Sequence, residues 1–201
     1  MITEIFFDIE TKKLFSDLET LDPGGLGVSI VSVLYRTLDE SYTIISETMK
    51  SFWEKEIPDM WSLFDGADRI IGFNSKNFDI PVLAPLAPER FAKLPHFDML
   101  EHIKSVLGRR ISLDALSAQT LGHHKSDKSL NAVIYWNRGD NESLAKLKEY
   151  CQMDVAITRD LYDFVQKNGY LKYLDKWNTI QTIQLDFSYP KQPNTNQMGL
   201  F

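Results

Sequence analysis

An α/β fold with a central mixed sheet and flanking helices is predicted by the order of patterns along the chain. Strand-type segments crowd the first third, helix-type segments follow, and turn residues punctuate the junctions. Residues 2–9 read as the first strand. Asp22-Pro23-Gly24-Gly25 with Gly27 reads as a loop, 28–35 as a second strand and 42–46 as a third, in the manner of an antiparallel sheet. From Ser51 the period changes: Phe52, Ile57, Met60, Trp61 and Phe64 give an amphipathic segment that Pro58 divides into a turn and a short helix. Residues 69–73 are short, apolar and β-branched, a fourth strand feeding a helix that starts at Ile80. The remainder reads as helical, over 100–107, 113–121, 130–136 and 142–166. The last of these places Leu144, Leu147, Cys151, Val155, Thr158 and Leu161 near one stripe, with Asn141 as N-cap and Asn168-Gly169 as stop. One domain over 1–189 and a flexible polar tail over 190–201 are expected, because the stretch from Pro190 to Asn196 has almost nothing to bury.

Composition excludes several classes. At 201 residues and 43% hydrophobic the chain can bury a core without staples. Its one cysteine, Cys151, forms no internal disulfide, and no Cys/His spacing resembles a zinc site, so a reducing, cytoplasmic setting is expected. The start of the chain carries carboxylates where an export signal needs basic and apolar residues, and no run approaches the ~20 apolar residues of a membrane span. With 22 Lys+Arg against 28 Asp+Glu the net charge is -6, so sequence-independent coating of a polyanion is disfavoured. A site that recruits divalent cations reverses that sign locally.

Three segments carry acids in places that ask for an explanation. Asp8 and Glu10 are two apart on an apolar strand and leave the same face of the sheet, where two carboxylates repel unless they are solvated on an edge or share a cation. Asp79 arrives at the first turn of a helix after a strand and a polar turn, a position that suits an N-cap as well as a ligand. Tyr150 and Asp154 are one helical turn apart, so phenol and carboxylate share a face.

Together, Phe6-Phe7-Asp8-Ile9-Glu10-Thr11, Gly72-Phe73-Asn74-x-x-x-Phe78-Asp79 and Tyr150-x-x-x-Asp154 resemble the three motifs of the DEDD superfamily of 3′-to-5′ exonucleases, over about residues 1 to 175. The chain is similar to the tyrosine branch, the proofreading domains of family A and B DNA polymerases, and above all to stand-alone family-B-like exonucleases. The histidine branch would need His where Glu149 stands. Phe97-Asp98, Leu113-Asp114 and Leu121-Gly122 have the same character. The resemblance implies a ribonuclease-H-like fold and two divalent cations, Mg²⁺ or Mn²⁺, held by Asp8, Glu10, Asp79 and Asp154. Tyr150 would orient the attacking water. It also implies a single-stranded nucleic acid as partner, DNA ahead of RNA, with the terminal nucleotide bordered by Ile9, Thr11, Asn74 and Phe78. Phe78 reads equally as core. Lys125, Lys128, Arg109 and Arg110 are the nearest candidates for phosphate, while His123 and His124 receive no role. An exoribonuclease and a non-catalytic binding module are the competing readings.

The chain ends on Gln197-Met198-Gly199-Leu200-Phe201, three apolar side chains after a polar stretch. This resembles the short bacterial sliding-clamp-binding peptide, with Gln197, Met198, Leu200 and Phe201 as the contact residues, and reads otherwise as a tail folding back on its own domain. An extended linker from Pro190 to Asn196 spans roughly 20 Å.

Overall fold

The computed structural model describes residues 1–123 and 129–190. Its centre is a five-stranded mixed sheet. Strand β1 (Ile2–Thr11) pairs antiparallel with β2 (Val28–Leu38), which pairs antiparallel with β3 (Ile44–Trp53). On its other edge β1 pairs parallel with β4 (Arg69–Gly72), and β4 pairs parallel with β5 (His96–Asp98), giving the order β3-β2-β1-β4-β5. Helix α1 (Ile57–Phe64) precedes β4, and the short α2 (Asp79–Leu83) lies between β4 and β5. Then come α3 (Met99–Leu107), α4 (Leu113–Thr120), α5 (Ser129–Arg138) and the 28-residue α6 (Asn141–Asn168). A hairpin of β6 (Tyr170–Leu174) and β7 (Ile180–Gln184) closes the described chain.

The two-residue period of β1 divides the protein into layers. Ile5, Phe7 and Ile9 pack with Ile57, Met60 and Phe64 of α1 and Val82 and Leu83 of α2. On the opposite face Phe6 joins Leu34 of β2 and Val155, Leu161 and Tyr162 of α6. The same alternation turns Asp8 and Glu10 toward α6. Near the start of β1 this face buries Glu4, 1% exposed, against Arg36, 3% exposed.

Several elements differ from expectation, each for a local reason. The region expected to be helical throughout contains β5, β6 and β7: three residues are too few to display a period, and β7 is polar at most positions. Strand β3 runs to Trp53 rather than ending at residue 46, because it is an outer strand whose mostly exposed side chains carry no apolar alternation. The N-cap of α6 is Asp140, which accepts a 2.9 Å hydrogen bond from the Ser143 N–H, not Asn141. Gly169 does close α6, in the left-handed region at φ 75°. The last residues of the tail, with Gln197, Met198, Leu200 and Phe201, and also His124, Lys125 and Lys128, lie outside the described residues.

Candidate active site

The acids meet where the carboxyl ends of parallel β1 and β4 face α6, the usual ligand position in open α/β sheets. Asp8 and Glu10 leave the last third of β1, and Asp154 comes from the buried stripe of α6. Ligand oxygens of Asp8, Glu10 and Asp154 all lie within 4.8 Å of one another. Tyr150, one turn before Asp154, lines the same cavity as all three acids. The second residue of the Tyr150–Asp154 interval, Cys151, is fully buried and directs its thiol at the Asp8 carbonyl, 3.5 Å away. Burial, with the charges of Asp8 and Glu10, pushes that thiol well above its ordinary pKa, so it stays protonated and offers no soft anionic ligand.

Asp79 stands apart from the three-carboxylate group. The N-cap of α2 is Phe78, without a side-chain capping bond, and Asp79 is the first helical residue, so the capping role open in the sequence is not the one it plays. Its carboxylate is buried, 3% exposed. Burial pushes its pKa up to about 7, against the pull of its own backbone N–H; the charge of Asp98 raises it further, the Ile9 N–H opposes, and Asp154 adds to the rise. Asp79 nonetheless lines the same cavity as Asp8, Glu10 and Asp154.

The turn leading to Asp79 is fastened by a residue whose importance was not apparent in the sequence. Asp98, 3% exposed, accepts hydrogen bonds from the N–H groups of Asn74 (2.9 Å), Lys76 (3.0 Å), Leu100 (2.9 Å) and Glu101 (3.2 Å). It therefore caps α3 and holds the 74–76 turn with one carboxylate. Its position just before a helical run was the available signal. Asn74 takes a left-handed φ of 66°, a conformation Asn tolerates.

The expected substrate contacts separate into two places. Ile9, Thr11 and Phe78 line the cavity that holds Tyr150 and Asp79, together with Lys13, Leu14 and Phe15. Asn74 lines a second cavity with Arg110. Phe78 also packs against the core, as its packing reading expects, and meets Phe15 edge-on at 6.3 Å. The two adjacent arginines diverge: Arg110 bonds Asn74, whereas Arg109 lies over the Tyr173 ring, 5.2 Å from its centre.

A cluster of three carboxylates is a set of hard, anionic oxygen donors, suited to Mg²⁺ or Mn²⁺ rather than zinc, and its mutual repulsion is relieved by a cation. A mixed parallel and antiparallel sheet, flanked by helices and carrying such a cluster at its centre, defines a ribonuclease-H-like α/β architecture. The RNase_H_2 family model of the RNase H superfamily matches residues 5–166, and the chain belongs to that superfamily. By family it is a nuclease-type hydrolase. No curated protein matches the chain. Among solved structures it is similar to one described as the apo form of the nuclease, with 17% identity, 82% of this chain and 72% of that one covered, and a TM-score of 0.47. Among the described residues, no helix is long and apolar enough to cross a membrane.

Proposed function

We propose that the chain is a tyrosine-branch DEDD exonuclease that releases nucleoside 5′-monophosphates from the 3′ end of single-stranded DNA, in repair or proofreading. The observation that carries this reading is the convergence of Asp8, Glu10 and Asp154 within 4.8 Å, beside Tyr150 in one open cavity. In this reading Asp8, Glu10, Asp79 and Asp154 hold two divalent cations, Mg²⁺ or Mn²⁺. Such ions neutralise the phosphate, lower the pKa of water and stabilise the attacking and leaving oxygens of an in-line displacement.

The chain's own side chains do the rest. Tyr150 holds the attacking water by a hydrogen bond, and because a free phenol ionises only near pH 10 its main part is to orient that water; only its phenolate form can accept the proton, becoming the phenol. Asp79, which lines the same cavity, would complete the donor set from the leaving-group side. Phe15 and Phe78 offer ring surface to the terminal base, and the backbone from Ile9 to Thr11 borders its sugar.

The C-terminal Gln197, Met198, Leu200 and Phe201 would bind a bacterial sliding clamp and raise the local concentration of the enzyme at DNA, which answers the net charge of -6. Deleting residues 197–201 should abolish clamp binding and leave hydrolysis of a free oligonucleotide unchanged. A deletion that impairs folding as well would sink the tether.

The direct test is degradation of 3′- and 5′-labelled single-stranded DNA and RNA of one sequence with Mg²⁺, Mn²⁺ or EDTA, beside an Asp8→Ala, Asp154→Ala variant. Metal-dependent laddering of DNA from the 3′ end, absent in the variant, is expected. A preference for RNA would make the chain an exoribonuclease. No cleavage of either polymer by folded protein would leave a binding module.

A further inference from the structure

Two cavities meet over the acid cluster. Asp8, Phe73 and Asp154 line both, so the carboxylates sit on the seam between them. The first, of about 350 Å³, is walled by Leu14, Phe15, Leu26, Phe78 and Val133, with Tyr150 at the acids. The second, of about 540 Å³, presents Asn74, Arg110 and Ser112. Both linings are mixed: the first offers the rings of Phe15 and Phe78 to a base beside Thr11 and Lys13, and the second sets a guanidinium, an amide and a hydroxyl beside Leu100, Ile111 and Leu113.

Arg110 is unlike the other well-placed arginines. Arg36 is spent on Glu4 and Asp163, Arg69 on Tyr162 and the Phe187 carbonyl, Arg90 on Asp65, and Arg159 on Glu47 and Asp160. Among the described residues Arg110 has no carboxylate at ion-pair distance. Its hydrogen bond runs from Nη2 to Asn74 Oδ1 at 2.9 Å, and Asn74 is in turn fixed by Asp98 through its N–H. The exposed guanidinium is thus held on one edge by Asn74 and lines the cavity that opens from the acids. A planar fork anchored in this way matches a phosphate and loses little freedom on binding it.

We propose that Arg110, held by Asn74, binds the phosphate immediately upstream of the bond to be cut, so that the strand leaves through the cavity Arg110 lines while its terminal nucleoside fills the one walled by Phe15 and Phe78. The inference rests on the exonuclease reading and adds to it the direction of the strand across the site. The phosphate under attack must lie on the seam, by the acids. Its two neighbours are then a nucleoside on one side and a phosphodiester on the other; each cavity carries a cation, Lys13 in the first and Arg110 in the second, and Arg110 is the one held in place by a side-chain hydrogen bond among the described residues. It also supplies a local cation to a chain whose net charge repels nucleic acid.

The test compares release of the first nucleotide from a ten-residue oligothymidylate with release from the same oligomer carrying a neutral methylphosphonate at the linkage next upstream of the terminal one. Wild-type protein should show a KM about tenfold higher for the methylphosphonate oligomer at unchanged kcat, the loss of one charge-assisted contact. Arg110→Ala should raise KM for the ordinary oligomer by about the same factor and no longer distinguish the two, and Arg110→Lys should recover part of the difference. If wild type cuts both equally well, or Arg110→Ala still discriminates, the upstream contact is refuted while the exonuclease reading stands. If folded wild type cuts neither, both fall.

Discussion

Glu4 accepts a 2.8 Å hydrogen bond from Arg36 Nε, deep between β1 and β2, and the rest of both side chains is used as well. Arg36 forms a two-pronged pair with Asp163 of α6, at 2.9 and 2.7 Å, and Glu4 accepts from the hydroxyls of Tyr162 (3.0 Å) and Tyr189 (2.8 Å). Burial opposes the Arg36 charge, but the hydrogen bond and charge of Asp163, with those of Glu4, hold its pKa above the ordinary value. Arg36→Met should therefore strand a buried carboxylate and cost about 3–5 kcal/mol, read from denaturant unfolding. Adding Glu4→Gln should recover a substantial part, because a neutral amide still accepts from the two tyrosines. A cost below about 1 kcal/mol for Arg36→Met would mean that water already reaches Glu4.

Gly72 ends β4 where the chain turns toward Asp79. A Cβ there would lie 2.5 Å from Ser75 Cβ and 2.6 Å from its Oγ, inside the turn that Asp98 pins. Gly72→Ala should therefore displace the turn, destabilise the fold by about 1–3 kcal/mol and cut activity by roughly a hundredfold through misplacement of Asp79. Removing the obstructing atoms in a Gly72→Ala, Ser75→Gly variant should restore both melting temperature and rate. Equal rates for wild type and Gly72→Ala would show that Asp79 tolerates movement.

These two sites show what a linear pattern can and cannot carry. Asp8, Glu10, Tyr150 and Asp154 were legible because strand and helix periods fix which side chains share a face, and the motif spacing supplied the rest. The sheet's central strands were legible for the same reason. Asp98 was not, since four of its bonds run to backbone N–H groups, which leave no trace in residue types, and β5 is too short for a period. The divergence of Arg109 from Arg110 depends on where the 108–112 loop lies against Tyr173 and Asn74, both distant in sequence. Asp79 stands at a helix start as expected, but only the fold shows that Phe78 takes the cap position and that Asp79 lines the cavity of Asp8, Glu10 and Asp154.

His96 gives the fold a pH dependence of known sign. Its Nε2 lies 2.7 Å from the Phe91 carbonyl, so that nitrogen carries the proton, while Nδ1 is buried without a hydrogen-bond partner and the ring packs edge-on against Phe7 and Phe91. Burial lowers its pKa; the Phe91 carbonyl works the other way, and the charge of Lys76 lowers it further. A histidine depressed in the folded state binds fewer protons than in the unfolded chain, so its contribution is complete above the ordinary value of 6.5 and is lost as pH falls below it. Asp79, raised to about 7 by burial, contributes with the opposite sign over the same interval, so the prediction is a difference: from pH 7 to pH 5 the melting temperature of wild type should fall relative to that of His96→Gln, which can still reach the carbonyl. Parallel curves for the two proteins would refute the assignment.

The acid cluster makes a prediction whose sign reverses with metal. Without cations, Asp8, Glu10 and Asp154 repel within 4.8 Å, so Asp154→Asn should melt at or above the wild-type temperature in EDTA. With Mn²⁺ or Mg²⁺ the wild type should gain stability as RT ln(1 + [L]/Kd), about 2.7 kcal/mol at a hundredfold excess over Kd, while the variant gains little. The two melting curves should therefore cross as metal is titrated in. A merely structural role for Asp154 would lower the variant's melting temperature under both conditions, and an equal metal-induced rise in both proteins would place the cation elsewhere. Because the readout is stability, it tests the donor set without requiring a substrate, and it separates a loss of metal binding from a loss of catalysis that leaves the metal in place.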